Sequence, residues 1–151
     1  MNNEKDNVYD LVEDFYAHDE GWNTLLRQEY AEGFLRMEAW KGKKNSDLYR
    51  SWDNLTMLCL YLGSAETFLG DMNADDFIDC IAWCGRNISE FTPDYKNTQD
   101  FLETCDGLFK YLKGKNAISN YTVPGTAAEI LLQEGKMNII LPDGSFDEAN
   151  T

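Results

Sequence analysis

The sequence has one histidine, three prolines and no long apolar run. With His18 as its single imidazole, the chain lacks the ligands of histidine-rich zinc sites and of di-iron sites built on Glu-x-x-His motifs. The longest apolar run, 57–62, is far too short to cross a bilayer. Glycine-rich phosphate loops are also missing. We therefore expect no metal site, no cofactor and no membrane association.

Basic residues are scarce as well. The chain has 13 lysines and arginines against 27 aspartates and glutamates, which gives a formal net charge of −14. A protein that binds nucleic acid usually presents a basic surface to the phosphates. The one basic cluster, Lys41, Lys43 and Lys44, follows a predicted helix, where cations complement the helix dipole. We expect no nucleic-acid partner, and DNA binding is the least favoured hypothesis.

Cys-x-x-Cys pairs are absent, and so is an apolar targeting segment at the N-terminus. The four cysteines, Cys59, Cys80, Cys84 and Cys105, each lie in an apolar, helix-like stretch. This placement is typical of reduced thiols in a core. Together these features predict a cytoplasmic protein.

What the sequence does contain is helical periodicity. Apolar residues recur at spacings of three and four over five segments, which we predict to be helices at 4–18, 22–41, 47–69, 74–90 and 93–113. The third segment is apolar nearly all round, so we expect it to be the central, buried helix. Ser46 is its predicted N-cap, and Thr92 with Pro93 is predicted to start the fifth helix.

The C-terminal part has a different pattern. Residues 119–123 are predicted to be extended, and Thr126 with Glu129 forms a capping box that opens a short helix ending at Gly135. A short strand at 137–141 and a turn at 142–145 follow. The predicted fold is mainly α: one domain over 1–151, a bundle of about five to six helices with a short C-terminal extended segment. The ends, about 1–5 and 146–151, are predicted to be flexible.

A cluster of aspartates precedes and enters the fourth predicted helix: Asp71, Asp75, Asp76 and Asp79. Its first residues resemble the start of a calcium-binding EF-hand loop. The sixth loop position holds Asp76 instead of glycine, however, and the twelfth holds Ala82 instead of glutamate. Asn73 is a good N-cap, and acids suit the first turn of a helix. We favour helix capping over cation binding.

The acidic excess is densest between residues 66 and 106, where ten acids face two bases. We therefore predict a non-enzymatic interaction or regulatory module, adaptor-like or immunity-like, that binds a basic protein as a monomer or homodimer. The four aspartates are its candidate contact surface, and no catalytic residue is assigned. The alternative is a small-molecule-binding protein or carboxylate-based enzyme. Its site would be a deep pocket between helices with convergent acids.

Overall fold

A computed structural model describes residues 7–19 and 21–133 of the chain. The described part consists of seven α-helices and a short 3-10 helix, Leu69–Asp71, and contains no strand. The α-helices are α1 (Val8–His18), α2 (Trp22–Leu25), α3 (Gln28–Trp40), α4 (Asn45–Ala65), α5 (Ala74–Asn87), α6 (Tyr95–Gly114) and α7 (Val123–Gln133). The mainly-α prediction is confirmed. The predicted strand, turn and flexible ends lie outside the described residues.

Helix α4 is the centre of the fold, as its pattern predicts. It contacts α1, α2, α3, α5 and α6. Leu55, Leu58, Cys59 and Leu62 have no measurable exposure to solvent. A helix that is apolar on most of its sides has to be covered on most of its sides, which explains this position.

The second half of the chain packs around α6. Helix α7 lies against both α5 and α6, and α3 also contacts α6. Phe77 of α5 meets Phe109 of α6 edge to face, with ring centroids 5.3 Å apart. None of the helices in the described residues combines the length and apolar character needed to cross a bilayer.

The predicted helix at 22–41 is wrong as a single element. The chain breaks after α2, and Leu26 has extended backbone with φ of −151°. The hydroxyl of Tyr16 donates a hydrogen bond to the Leu26 carbonyl, and the Asn23 side chain accepts one from the Gln28 amide at 2.9 Å. These bonds satisfy backbone groups that a continuous helix would have paired internally.

Several predicted helix ends are shifted. Helix α4 begins at Asn45, so Ser46 is inside the helix and is not its N-cap. It ends at Ala65, four residues early, because Glu66 has left-handed backbone with φ of 55°. Helix α6 is capped by Asp94, whose Oδ1 accepts from the Asn97 amide at 2.8 Å.

The predicted start of the last helix is also wrong. Helix α7 begins at Val123, and residues predicted to be extended form a turn leading into it. Thr126 therefore lies inside the helix, where its hydroxyl donates to the Thr122 carbonyl at 3.1 Å. Pro124 occupies the first turn, where its missing N–H leaves no bond unmade.

All four cysteines are buried, reduced thiols, as predicted. Burial raises the pKa of Cys59 to about 12. It also raises the pKa values of Cys80 and Cys105, with a further contribution from neighbouring Cys84 in each case. The thiols of Cys59, Cys80 and Cys105 therefore stay protonated, and all four cysteines contribute to the core as small apolar groups.

Candidate interaction surface and interhelical cleft

The four predicted aspartates lie on the 3-10 helix and on the first two turns of α5. Asp71, Asp75 and Asp79 are exposed, and Asp76 is half-buried. Helix α5 begins here because Asn73 caps it, as predicted. The Asn73 side chain accepts from the Asp76 amide and the Asp76 carboxylate accepts from the Asn73 amide, both at 2.9 Å.

Of the four carboxylates, those of Asp76 and Asp79 accept hydrogen bonds within the chain. Asp76 belongs to the capping box, and Asp79 accepts a hydrogen bond from the Tyr61 hydroxyl at 2.9 Å. Burial, together with Asp79, raises the pKa of Tyr61 well above its usual range. Within residues 7–19 and 21–133, the carboxylates of Asp71 and Asp75 have no hydrogen-bond or ion-pair partner. Asp71 and Asp75 are therefore the two aspartates of the cluster whose carboxylates can bind a partner without losing a bond of the described structure.

A groove of about 260 Å³ runs between α6 and α7. We call it the α6–α7 groove; it is lined by Tyr95, Gln99, Leu102, Glu103, Asp106, Pro124, Gly125, Ala128 and Glu129. The buried side chains of Leu102 and Pro124 form an apolar floor, and exposed Glu103 and Glu129 form an acidic rim. Sequence reasoning missed this groove because it assigned Glu129 to a capping box.

Few ion pairs of the described residues offset the negative charge of the acidic stretch 66–106. Lys110 pairs with Asp106 at 2.9 Å, and in the described part of the chain this is the one ion pair that engages an acid of that stretch. The other two pairs there, Arg27–Glu29 and Lys43–Glu38, involve acids of α3. The stretch therefore keeps most of its negative charge on the folded surface.

A second depression, of about 450 Å³, lies between α4, the α5–α6 connection and the first turns of α6. We call it the α4–α6 cleft; it is lined by Arg50, Asp53, Asn54, Thr56, Met57, Leu60, Ile88, Glu90, Phe91, Asn97 and Asp100. It combines carboxylates with apolar side chains. Acidic side chains that converge on a space between helices are one of the features that the small-molecule alternative predicts, but Arg50, Asp53, Leu60 and Glu90 are exposed, so this is a depression and not the deep pocket of that prediction.

Asn54 organises one wall of this cleft. Its side chain is 5% exposed, and its Nδ2 donates to Asp100 Oδ2 and to Thr104 Oγ1, both at 3.0 Å. The Thr104 hydroxyl in turn donates to the Asp100 backbone carbonyl at 3.0 Å. A buried amide satisfied in this way fixes the Asp100 carboxylate at the cleft.

Asp53 stands beside this network without sharing it. It remains exposed, and it has no hydrogen-bond or ion-pair partner among the residues described. Partial desolvation against the cleft wall nevertheless raises the pKa of its carboxyl. No role was assigned to Asp53 or Asn54 from the sequence. Asn54 could have been noticed, because a polar amide inside the most apolar helix indicates a specific hydrogen-bond partner.

No match to a family model, a curated protein or a solved structure was found for this chain. Over the described ranges, no group of three or more histidine, cysteine or acidic side chains is arranged to hold a metal ion.

Proposed function

We propose that this chain is a non-enzymatic interaction module that binds a basic protein through its acidic surface, as an adaptor or an immunity-like protein does. The observation that carries the proposal is the acidic excess of residues 66–106, ten acids against two bases, of which Asp106 alone forms an ion pair with another described residue. Asp71 and Asp75 are exposed, and no cation of the described chain pairs with them. A basic partner would supply the missing cations and be drawn in by the long-range field.

The α6–α7 groove gives such a partner a place to anchor. Interfaces draw most of their affinity from a few apolar or aromatic side chains in dry pockets, and charges around them set orientation. The apolar floor at Leu102 and Pro124 suits an anchoring side chain. The acidic rim at Glu103 and Glu129 suits lysine or arginine beside it, and Tyr95, 44% exposed, offers an aromatic contact.

The test begins with recovery of the partner from the source cells in low-salt buffer, followed by calorimetric titration of the purified pair. The double substitution Asp71→Lys and Asp75→Lys is compared with Glu13→Lys and Asp14→Lys, which makes the same charge change at exposed positions of α1. We expect the first pair to weaken binding about tenfold more than the second, because close charges couple by more than about 1 kcal/mol.

Salt provides the independent check. Affinity should fall as sodium chloride is raised, since the proposed contacts lie at the surface, where charge is screened. A complex that is insensitive to salt and to both double substitutions would contradict the proposal. Equal weakening by both pairs would reduce it to an effect of overall charge.

A further inference from the structure

The carboxylates that line the α4–α6 cleft keep open hydrogen-bond acceptors. Both oxygens of Asp53 are without a partner in the described structure. Glu90 uses one oxygen to accept from the Ser89 hydroxyl, and Asp100 uses one to accept from Asn54, so each keeps another. Carboxylate oxygens can only accept while ionised, so they call for a donor.

The polar side chains around these acids have little to donate. Both amide hydrogens of Asn54 are engaged, and the Thr56 hydroxyl donates to the Trp52 carbonyl at 2.9 Å. The side-chain Nδ2 of Asn97 donates one of its two hydrogens to the Thr92 carbonyl at 2.8 Å. Arg50 is the single cation in the cleft lining, and it is exposed. In the described structure neither Arg50 nor Asn97 bonds to Asp53, Glu90 or Asp100, so a ligand with its own donors would satisfy these carboxylates.

The remaining wall is apolar. Met57 and Phe91 are buried or nearly so, Ile88 is half-buried, and Leu60 is 36% exposed. The volume, about 450 Å³, lies within the range of roughly 300–1,000 Å³ that is typical of small-molecule pockets. A fully hydrated inorganic ion would gain nothing from such a wall, whereas a hydrocarbon stem would be partly removed from water.

We propose that the α4–α6 cleft binds a small organic cation, an ammonium or guanidinium group on a short apolar stem. The charged head donates to Asp53 and Asp100, and the stem packs against Met57 and Phe91. Asn54 is a positioning residue, because it holds Asp100 without needing to touch the ligand. This site takes Glu90 and Asp100 from the acidic stretch 66–106, but it includes neither Asp71 and Asp75 nor any residue of the α6–α7 groove, so the two proposals can be tested separately.

The sign of the ligand charge follows from the lining. Three carboxylates against one guanidinium favour a cation, whose positive charge stabilises the ionised Asp53 and so offsets the cost of its partial burial. Arg50 then opposes binding. Its removal should strengthen the complex, whereas an anionic ligand would need Arg50 and lose affinity without it.

The experiment is a titration of the ¹⁵N-labelled full chain followed by amide chemical shifts in low salt. The probes are agmatine, putrescine and phenethylamine, with phenethyl alcohol and phenylpropionate as neutral and anionic controls. We expect saturable shifts at Asp53, Asn54, Phe91 and Asp100 with at least one cation, at a Kd of about 1 mM or lower. Neither control should produce them.

Three substitutions sharpen the result. Asp53→Asn should raise the Kd about tenfold, since a hydrogen bond between charged groups is lost. Asp14→Asn, the same change at an exposed position of α1, should leave it within about twofold. Arg50→Gln should lower the Kd by about twofold or more, because it removes a like charge. Asp53 makes no internal bond in the described chain, so its variant is expected to fold.

The opposing outcomes are distinct. Absence of saturable shifts with all three cations overturns the proposal, and so does binding that is unaffected by Asp53→Asn or weakened by Arg50→Gln. A further arm uses N-acetyl-arginine N-methylamide as a stand-in for a protein side chain. If only this probe shifts the cleft amides, the cleft receives a partner's arginine and the free-cation proposal fails.

Discussion

Gly33 of α3 faces α6, and the side chain of Tyr111 occupies the space that a Cβ at this position would take. A Cβ at this position would be 2.0 Å from the Tyr111 hydroxyl oxygen and 2.9 Å from its Cζ. We expect Gly33→Ala to lower the free energy of unfolding by about 1–2 kcal/mol, as overpacking outweighs the gain in helix propensity. Urea unfolding followed by circular dichroism measures this loss.

Gly63 is the matched control for Gly33. A Cβ there would lie 3.7 Å from Leu25, an ordinary contact, so Gly63→Ala should be neutral or stabilising by up to about 1 kcal/mol. Adding Tyr111→Phe to Gly33→Ala should recover part of the loss, because it removes the atom nearest the new methyl group. Equal effects at Gly33 and Gly63 would contradict the close approach.

Asp53 makes stability depend on pH in a defined direction. Because its folded pKa is raised, the folded chain takes up a proton at a pH where the unfolded chain does not. Its contribution to stability therefore falls as pH rises from the unfolded pKa through the folded pKa. We expect Asp53→Asn to raise the Tm relative to the unsubstituted chain at pH 7, and this advantage to vanish near pH 3.

Thermal unfolding of both chains at several pH values measures the effect. The same Tm difference at both ends of the range would show that the substitution acts through packing, with no role for the charge of Asp53.

Among the helices, α4 contributes the largest share of the core, and the prediction at this scale compares its buried face with its exposed face. Leu62 is fully buried, so Leu62→Ala should cost about 2–5 kcal/mol of unfolding free energy. Leu60, on the same helix, is 36% exposed, and Leu60→Ala should cost about 1 kcal/mol. Denaturant unfolding compares them, and similar losses would mean that α4 is not the central helix.

Sequence periodicity predicted the long helices because a continuous apolar stripe has to be covered, and α4, α5 and α6 have such stripes. It failed at the α2–α3 break because Leu25 and Leu26 fit the stripe of one long helix. The break depends on the Tyr16 hydroxyl reaching the Leu26 carbonyl, a contact made only after α1 has packed.

Of the two candidate sites, one could be predicted from the sequence and the other could not. The cluster from Asp71 to Asp79 was visible because it is continuous in sequence and follows a recognisable cap. The α4–α6 cleft was not, since Asp53 and Asp100 come from helices that meet only in the folded chain.

At the scale of the whole molecule, the net charge of −14 acts against the compact state. Three ion pairs in the described residues offset little of it, and their partners are mostly exposed. We expect sodium chloride to raise the Tm, because screening weakens repulsion between acids more than it weakens these few pairs. Differential scanning calorimetry over a salt series measures the slope.

The variant with Glu13→Lys and Asp14→Lys is a useful comparison for this series. Because its net charge is less negative, its Tm should depend less on salt than that of the unsubstituted chain. A Tm that falls as salt is added would mean that attractive pairs outweigh the repulsion.

The four buried thiols can be used to measure how the folded chain unfolds, locally or as a whole. While the core is closed, a soluble alkylating reagent meets no exposed sulfur, because Cys59, Cys80, Cys84 and Cys105 are all covered. A chain that opens fully presents all four together. Mass spectrometry after a brief pulse of reagent would therefore sort molecules into unlabelled and fourfold-labelled populations if opening is cooperative, and intermediate labelling would reveal which helix comes away first.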